Sequence, residues 1–241
     1  SGTDWIALEK PVGVATDAHP WFGGAPSLAA AFSQRVADGA TAFTALTTER
    51  AYAVFPLEPE VSGLGVMAFG KAATERLRNA FGSRYWEFTY TLIAADTTPA
   101  DGGERECALP VAAHRHEPRA LVSHKTGRKA QTHFTLLERF GALSRWRAKT
   151  NFPRLHQVRL HAFEVGLRIC GDALYDGADI PTLAQVRRGA KGPGVHNPLY
   201  PGPCVHLATV TLCDGDAQTT VHAPPPEKWS HFEKAIRRFA T

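Results

Sequence analysis

Apolar positions recur along this chain with two different periods. In "YWEFTYTLIA", residues 85–94, Trp86, Phe88, Tyr90 and Leu92 alternate with Glu87, Thr89 and Thr91. A two-residue period places alternate side chains on opposite faces, so the stretch is predicted to be a strand. "QTHFTLLERF" from 131, "QVRLHAFEV" from 157 and "CVHLATVTLC" from 204 read as further strands. Residues 52–71, "YAVFPLEPEVSGLGVMAFGK", read as two strands joined by a turn that carries two carboxylates, Glu58 and Glu60, and two prolines, Pro56 and Pro59. Helical spacing appears elsewhere. "PSLAAAFSQRVADG" sets Leu28, Phe32 and Val36 on one face, with Pro26 near the start and Gly39 as a stop. "GKAATERLRNAFG" does the same with Ala73, Leu77, Ala80 and Phe81, and the closing "PPPEKWSHFEKAIRRFA" with Trp229, Phe232, Ile236 and Phe239. Residues 176–203 are rich in Gly and Pro and read as loops around a short segment at 183–188. Strands dominate, with helices inserted between them and one at the end. The predicted class is α+β, built on a central, largely antiparallel or mixed sheet with flanking helices.

Composition narrows this picture only a little. The chain has 241 residues, 44% of them apolar, enough for a substantial core. No run of 18 apolar residues suggests a transmembrane helix, and "SGTDWIALEK" lacks a cationic start and an apolar signal core. Cys107, Cys170, Cys204 and Cys213 are scattered without CxxC pairing, which fits a reduced, cytoplasmic chain with neither a disulfide framework nor a zinc site. A monomer is the default expectation. Net charge is +4. The segment "AHRHEPRALVSHKTGRK", 113–129, holds Arg115, Arg119, Lys125, Arg128 and Lys129 against Glu117 alone, so its own net charge is also +4. Such a cluster suits either a solvated loop or a surface that releases counterions on binding RNA or DNA.

Several chemistries are excluded by their motifs. There is no GxxxxGK[ST], no GxGxxG opening a helix, no HExxH and no GxSxG. "HRH" at 114–116 lacks a third metal ligand at a recognisable spacing, so no metal is expected.

What remains is an ordered set of short blocks: "EKPVGVATDAHP", "FPLEPEVSGLGVMAFGK", "FTYTLIA", "GRKAQTHF", "RLHQVRLHAFEVGLRICGDALYDG" and "CVHLATVTL". In order and spacing they resemble the RluA-type RNA pseudouridine synthases, whose blocks read roughly KPxGxxxH, HRLDxxTSGLLVxAK, KxY and TGRTHQIRxHxxxxGxPIxGDxxYG. In the last block His156, Gln157, Val158, Arg159, His161, Gly166, Gly171, Asp172, Leu174 and Tyr175 all fall where that pattern wants them. The resemblance runs from about Trp5 to the C-terminal helix. It implies that 1–241 is a single catalytic domain of pseudouridine synthase-like fold, without an N-terminal S4-type module, isomerising uridine in ribosomal or transfer RNA with no cofactor.

The resemblance also assigns residues. Glu58 falls at the family's catalytic aspartate, which initiates breakage of the uridine glycosidic bond. Tyr90 falls at the tyrosine that stacks on the extruded base, and Arg159 at the arginine that pairs with the carboxylate. Lys10 and Arg154 match positions close to the cleft and join the basic segment as expected RNA contacts. His156 reads as structural, Asp172 and Tyr175 as turn residues, and Glu60 as solvent-facing. The departures are specific. His and Arg of HRLD are Phe55 and Pro56, Thr of TSG is Val61, Lys of KxY is Phe88, and TGRT is Phe152, Pro153, Arg154 and Leu155. Glu58 is also one methylene longer than aspartate, and misplacing a reacting atom by about 1 Å costs on the order of a hundredfold in rate. Three readings follow: a synthase re-tuned around Glu58, a catalytically silent relative that keeps the RNA-binding scaffold, or a protein-interaction module that docks partners on Phe55, Val61, Phe88 and Phe152.

Overall fold

The computed structural model describes residues 4–17, 21, 26–39, 50–81, 86–97, 103–187, 189–214 and 217–239, the side chains of Asp214 and Phe239 excepted. In chain order the elements are β1 (Trp5–Lys10), α1 (Leu28–Ala37), β2 (Ala51–Ala53), β3 (Ser62–Phe69), α2 (Lys71–Asn79) and β4 (Glu87–Asp96). There follow β5 (Glu104–Cys107), β6 (Val111–Ala113), β7 (Ala120–Val122), β8 (Thr132–Phe140), β9 (Leu143–Thr150) and α3 (Gln157–Glu164). The chain closes with β10 (Leu167–Ile169), α4 (Leu183–Val186), β11 (Val205–Asp214), β12 (Ala217–His222) and α5 (Glu227–Phe239).

Among the described residues one mixed sheet runs β1-β3-β11-β4-β9-β8-β5, with β2 on β3, β10 on β4 and β12 on β11. Its pairs are antiparallel except β3 with β11. Strand β3 is buried along all eight residues, because its neighbours and both faces are covered. It lies so close to β11 that Gly63, at φ 132°, has no room for a side chain: a Cβ there would sit 2.4 Å from the Leu207 carbonyl oxygen. Glycine is therefore required by both space and backbone conformation.

The alternation read in β4 is the alternation observed. Phe88 and Leu92 point into the main core beside Trp86, Trp146 and Leu207. On the opposite face Ile93 meets Trp229, Phe232 and Ile236 of α5. Phe239, assigned to that helical face from the sequence, lies outside the described side chains. Helix α1 is capped by Ser27, whose Oγ accepts the Ala30 N–H at 3.2 Å, and packs Phe32 on Phe69 with ring centroids 5.2 Å apart. Among the described residues no helix is long and apolar enough to cross a membrane.

Two elements differ from expectation. "QVRLHAFEV" is mostly helix, α3, rather than strand. Six successive residues, Gln157 to Ala162, are buried, so neither a helical nor a strand period survives in the burial pattern. The helix is wedged between the main core, which takes Val158 and Ala162, and the β6–β7 hairpin, which takes Leu160. Its polar side chains are buried because each is bonded. Gln157 Nε2 shares its two N–H groups among Gln131 O, Thr132 Oγ1 and Thr150 Oγ1 at 2.9, 3.0 and 2.9 Å. His161 contacts Thr132 Oγ1 and the Leu109 carbonyl oxygen, both at 2.9 Å. The second difference is β9, "LSRWRAKT", which no apolar pattern announced. Its inward positions are Ser144, Trp146, Ala148 and Thr150, of which only the tryptophan is a large apolar group. The strict alternation of Arg145, Arg147 and Lys149 was the available signal.

Candidate active site

Glu58 stands on the turn between β2 and β3, and the N-terminal loop fixes that turn. Lys10 Nζ, at the end of β1, donates to the carbonyl oxygens of Pro11, Val14 and Pro59 at 3.0, 2.6 and 3.4 Å. Gly13 N–H reaches the same Pro59 oxygen at 2.7 Å, and Leu57 N–H donates to Thr16 Oγ1 at 2.9 Å. Lys10 is thus a buried clamp, 2% exposed, which corrects its expected place among RNA contacts. An ammonium satisfied by three carbonyls inside the turn is not presented to a phosphate. Burial lowers its pKa to about 8 against the pull of Glu58 and Glu60.

The turn delivers Glu58 to the N-terminal end of α3, where the helix dipole favours a negative charge. Its Oε1 accepts the backbone N–H of His156 at 2.6 Å. His156 can donate there because it adopts a left-handed conformation, φ 51°, ahead of the first helical turn. The ring of His156 is also fixed: Nδ1 lies 2.9 Å from Tyr175 Oη, and that hydroxyl accepts the Ala120 N–H at 2.8 Å. Tyr175 therefore ties β7 of the hairpin to the site, a role beyond that of a turn residue. Burial lowers the His156 pKa and outweighs Glu58, keeping the ring neutral near pH 7.

Arg159 does not pair with Glu58 as expected. Its Nε and Nη2 form a two-point fork on Asp172, both contacts at 2.7 Å, with Arg159 and Asp172 exposed by only 3% and 2%. The "GDALYDG" bend after β10 turns the Asp172 carboxylate back toward α3, while Oε1 of Glu58 is taken by the His156 amide. Burial alone would lower the Arg159 pKa, but Asp172, with Glu58 and Glu60 farther off, raises it. Glu60 is not simply solvent-facing either. Its Oε2 is buried 3.8 Å from Arg159 Nη1, and neither atom makes a hydrogen bond within the protein.

Glu58, Tyr90 and Arg159, from three separate elements, line one cavity with Val61, Pro153, Arg154 and His156. Tyr90 sits at the sheet end of this cavity, and burial, helped by Glu58, pushes its hydroxyl pKa up. The free volume is about 10 Å³, near the minimum for a single water molecule. Beside it, across Pro153, lies a second cavity of about 250 Å³ lined by Val54, Phe55, Pro56, Arg78, Phe81 and Phe152.

The apolar replacements form a cluster rather than a docking face. Phe55, Val61 and Phe88 are buried in the core. Phe55 meets Phe88 edge-on at 4.9 Å, Phe81 meets Trp86 at 4.6 Å, and Phe152 meets Phe81 at 5.4 Å. The interaction-module reading required these rings on the surface, so it is withdrawn.

The basic segment is the β6–β7 hairpin and the turns that follow it. Arg115, Lys125, Arg128 and Lys129 are exposed there, while Arg119 is engaged by Glu117 at 2.5 Å. Arg154 joins this surface to the cavity: its guanidinium lies 3.8 Å over the Phe152 ring and donates to the Lys129 carbonyl at 3.4 Å. Burial and nearby Arg128 lower its pKa. His114 turns Nδ1 inward to accept the backbone N–H groups of His116 and Glu117. Among the described residues no group of three His, Cys, Asp or Glu side chains is arranged to hold a metal.

Comparison with known proteins accords with this architecture. The sequence model of the family described as RNA pseudouridylate synthase matches residues 4–163. An uncharacterized RNA pseudouridine synthase of Mycobacterium bovis is 31% identical over 238 residues, covering 98% of this chain and 71% of that protein. The ribosomal large subunit pseudouridine synthase D of Yersinia pestis is 31% identical over 132 residues, which are 55% of this chain but only 40% of that protein's length. Among solved structures, human RNA pseudouridylate synthase domain containing 4 matches with a TM-score of 0.70 at 13% identity, covering 98% of this chain and 91% of the other. Human RNA pseudouridylate synthase domain containing 1 gives 0.62 at 15% identity, covering 94% and 82%.

Proposed function

The chain belongs to the RNA pseudouridylate synthase family, and on that premise we propose that it isomerises uridine to pseudouridine in ribosomal or transfer RNA. The observation that carries the reading is the convergence of Glu58, Tyr90 and Arg159 on one cavity. In the reaction the bond from C1′ to N1 breaks, the uracil turns, and C1′ bonds to C5; N1 gains a proton and C5 loses one. Glu58 is the carboxylate that begins it. Its Oε1 is held by the His156 amide, which leaves Oε2 to face the nucleotide. Tyr90 supplies the ring against which an extruded base stacks. Arg159 is a fixed positive charge behind the carboxylate, kept in place by Asp172.

The nucleotide enters by displacing Phe152–Pro153, which joins the small cavity to the larger one beside it. The exposed hairpin cations Arg115, Lys125, Arg128 and Lys129, with Arg154, meet the phosphates of the same RNA. The tightness of the catalytic cavity is the one observation that favours the silent, RNA-binding alternative, and a single experiment separates the two. Total RNA from a strain lacking the gene is incubated with wild type and with Glu58→Gln, then mapped for pseudouridine by chemical labelling. The expected result is a site modified by wild type, with the Glu58→Gln rate lower by at least a hundredfold. No modification by either protein, with salt-sensitive RNA binding by both, would overturn the catalytic reading and leave the scaffold role.

A further inference from the structure

We propose that His156 is a substrate-contact residue of this site, its Nε2 making a hydrogen bond to the target uridine. The inference rests on the synthase reading above and adds a contact that the resemblance does not assign. His156 lines the same cavity as Glu58, Tyr90 and Arg159. It is 1% exposed, yet its Nε2 is buried without any hydrogen-bond partner in the protein. Buried polar atoms in folded proteins are nearly all bonded, and leaving one unpaired is costly. Every other polar atom of the residue with a bonding role has a partner. Nδ1 meets Tyr175 Oη, the backbone N–H meets Glu58 Oε1, and the backbone carbonyl oxygen accepts the Leu160 N–H at 2.9 Å.

The ring is therefore held on one edge and unspent on the other, beside the carboxylate. Its surroundings also suit a neutral partner. The charged groups facing it come in opposite signs, Glu58, Glu60 and Asp172 against Arg159, and burial disfavours the cationic ring. A neutral imidazole has one donor and one acceptor nitrogen, and the Tyr175 contact at Nδ1 decides which of these Nε2 becomes. Uracil and ribose offer both complements: carbonyl oxygens, an N3–H and hydroxyls. Filling the orphaned position when the nucleotide enters gives a hydrogen bond that the free enzyme lacks.

His156→Asn is the informative variant. Asparagine tolerates the left-handed backbone and keeps a polar atom near the Nδ1 position for Tyr175, but has nothing at Nε2. His156→Gln places its amide near Nε2 instead. Pseudouridine formation in the same total RNA is followed with enzyme in excess, alongside melting temperature and RNA affinity at fixed salt. The expected result is a rate at least tenfold lower for His156→Asn, with melting temperature and affinity close to wild type, and partial recovery in His156→Gln. A His156→Asn rate within twofold of wild type would overturn the contact and leave the proposed function standing. A tenfold loss shared equally by both variants and matched by a fall in melting temperature would also overturn it, in favour of a structural histidine. If wild type itself forms no pseudouridine, the proposed function and this inference fall together.

Discussion

The two sides of the cleft have followed opposite rules. On one side Phe55, Phe81, Trp86, Phe88 and Phe152 form a connected group of rings, with centroid separations from 4.6 to 5.6 Å along the chain of contacts Phe55–Phe88–Trp86–Phe81–Phe152. Three of these, Phe55, Phe88 and Phe152, stand where the family pattern has His, Lys and Thr. On the other side Lys10, Glu58, Glu60, His156, Arg159, Asp172 and Tyr175 remain polar and interlocked. Removing one partner from a buried polar pair leaves the other unsatisfied, whereas replacing all partners with apolar groups of fitting shape is nearly neutral. On the aromatic side Phe55, Phe88 and Phe152 are all apolar where the pattern is polar. On the charged side Lys10, Glu58, His156, Arg159, Asp172 and Tyr175 each hold a bonded partner that their removal would strand. On the proposed function the reacting groups are those of the polar side, and the aromatic side is an apolar wall beside them.

Returning lysine to position 88 is the most severe way to break this division. Phe88→Lys would lose a fully buried ring and bring an unpaired ammonium among aromatic groups. The expected destabilisation is at least about 5 kcal/mol in denaturant unfolding, enough to leave little folded protein. A loss below about 2 kcal/mol would mean that polar partners for the lysine still exist on that side. Asp172→Ala comes next. It strands Arg159, whose side chain is 3% exposed, and should cost about 4 kcal/mol. A cost under about 1 kcal/mol would show that Glu58 and Glu60 can hold the guanidinium without the fork.

The smallest effect sharpens the comparison through pH. Lys10 keeps its proton to the usual 10.5 in the unfolded chain but only to about 8 when folded. Between those values the unfolded state binds more protons, so this group makes stability rise with pH. Measured against Lys10→Met, which lacks the titration, wild type should gain about 1 kcal/mol between pH 8 and pH 9. A flat difference would place the Lys10 ammonium in a wetter setting than its three carbonyl contacts describe.

Legibility in the sequence followed the same physics. Strand β4 was readable because its first half, Glu87 to Thr91, leaves one face partly exposed, and helix α5 because it buries one face, so Phe88 and Leu92, or Trp229, Phe232 and Ile236, recur at the period of the element. Helix α3 is enclosed from Gln157 to Ala162, and those residues carry no period; alternation of Val158, Leu160 and Ala162 with Arg159 and His161 then mimics a strand. Strand β9 hides its inward face behind Ser144, Ala148 and Thr150, which a hydrophobicity pattern does not register. Glu58, Tyr90 and Arg159 could be placed from motif order alone, and they do share a cavity. The partner of Arg159 could not, since Asp172 reaches it only through the bend after β10. Nor could the bond from His156 to Glu58, which depends on a backbone φ of 51° that residue type does not dictate.

The 10 Å³ cavity has a thermodynamic corollary. If the state that admits a nucleotide holds only a fraction of the population, the apparent dissociation constant is the intrinsic one divided by that fraction; at one molecule in a hundred, binding weakens roughly a hundredfold. On the proposed entry route, the packing of Phe152 on Phe81 and of Arg154 on Phe152 sets that fraction. Stability and affinity are thereby coupled with opposite sign: contacts that hold this segment shut strengthen the fold and weaken the grip on RNA. On the proposed function the RNA contacts of the exposed hairpin charges are made outside the cavity and lie outside that trade.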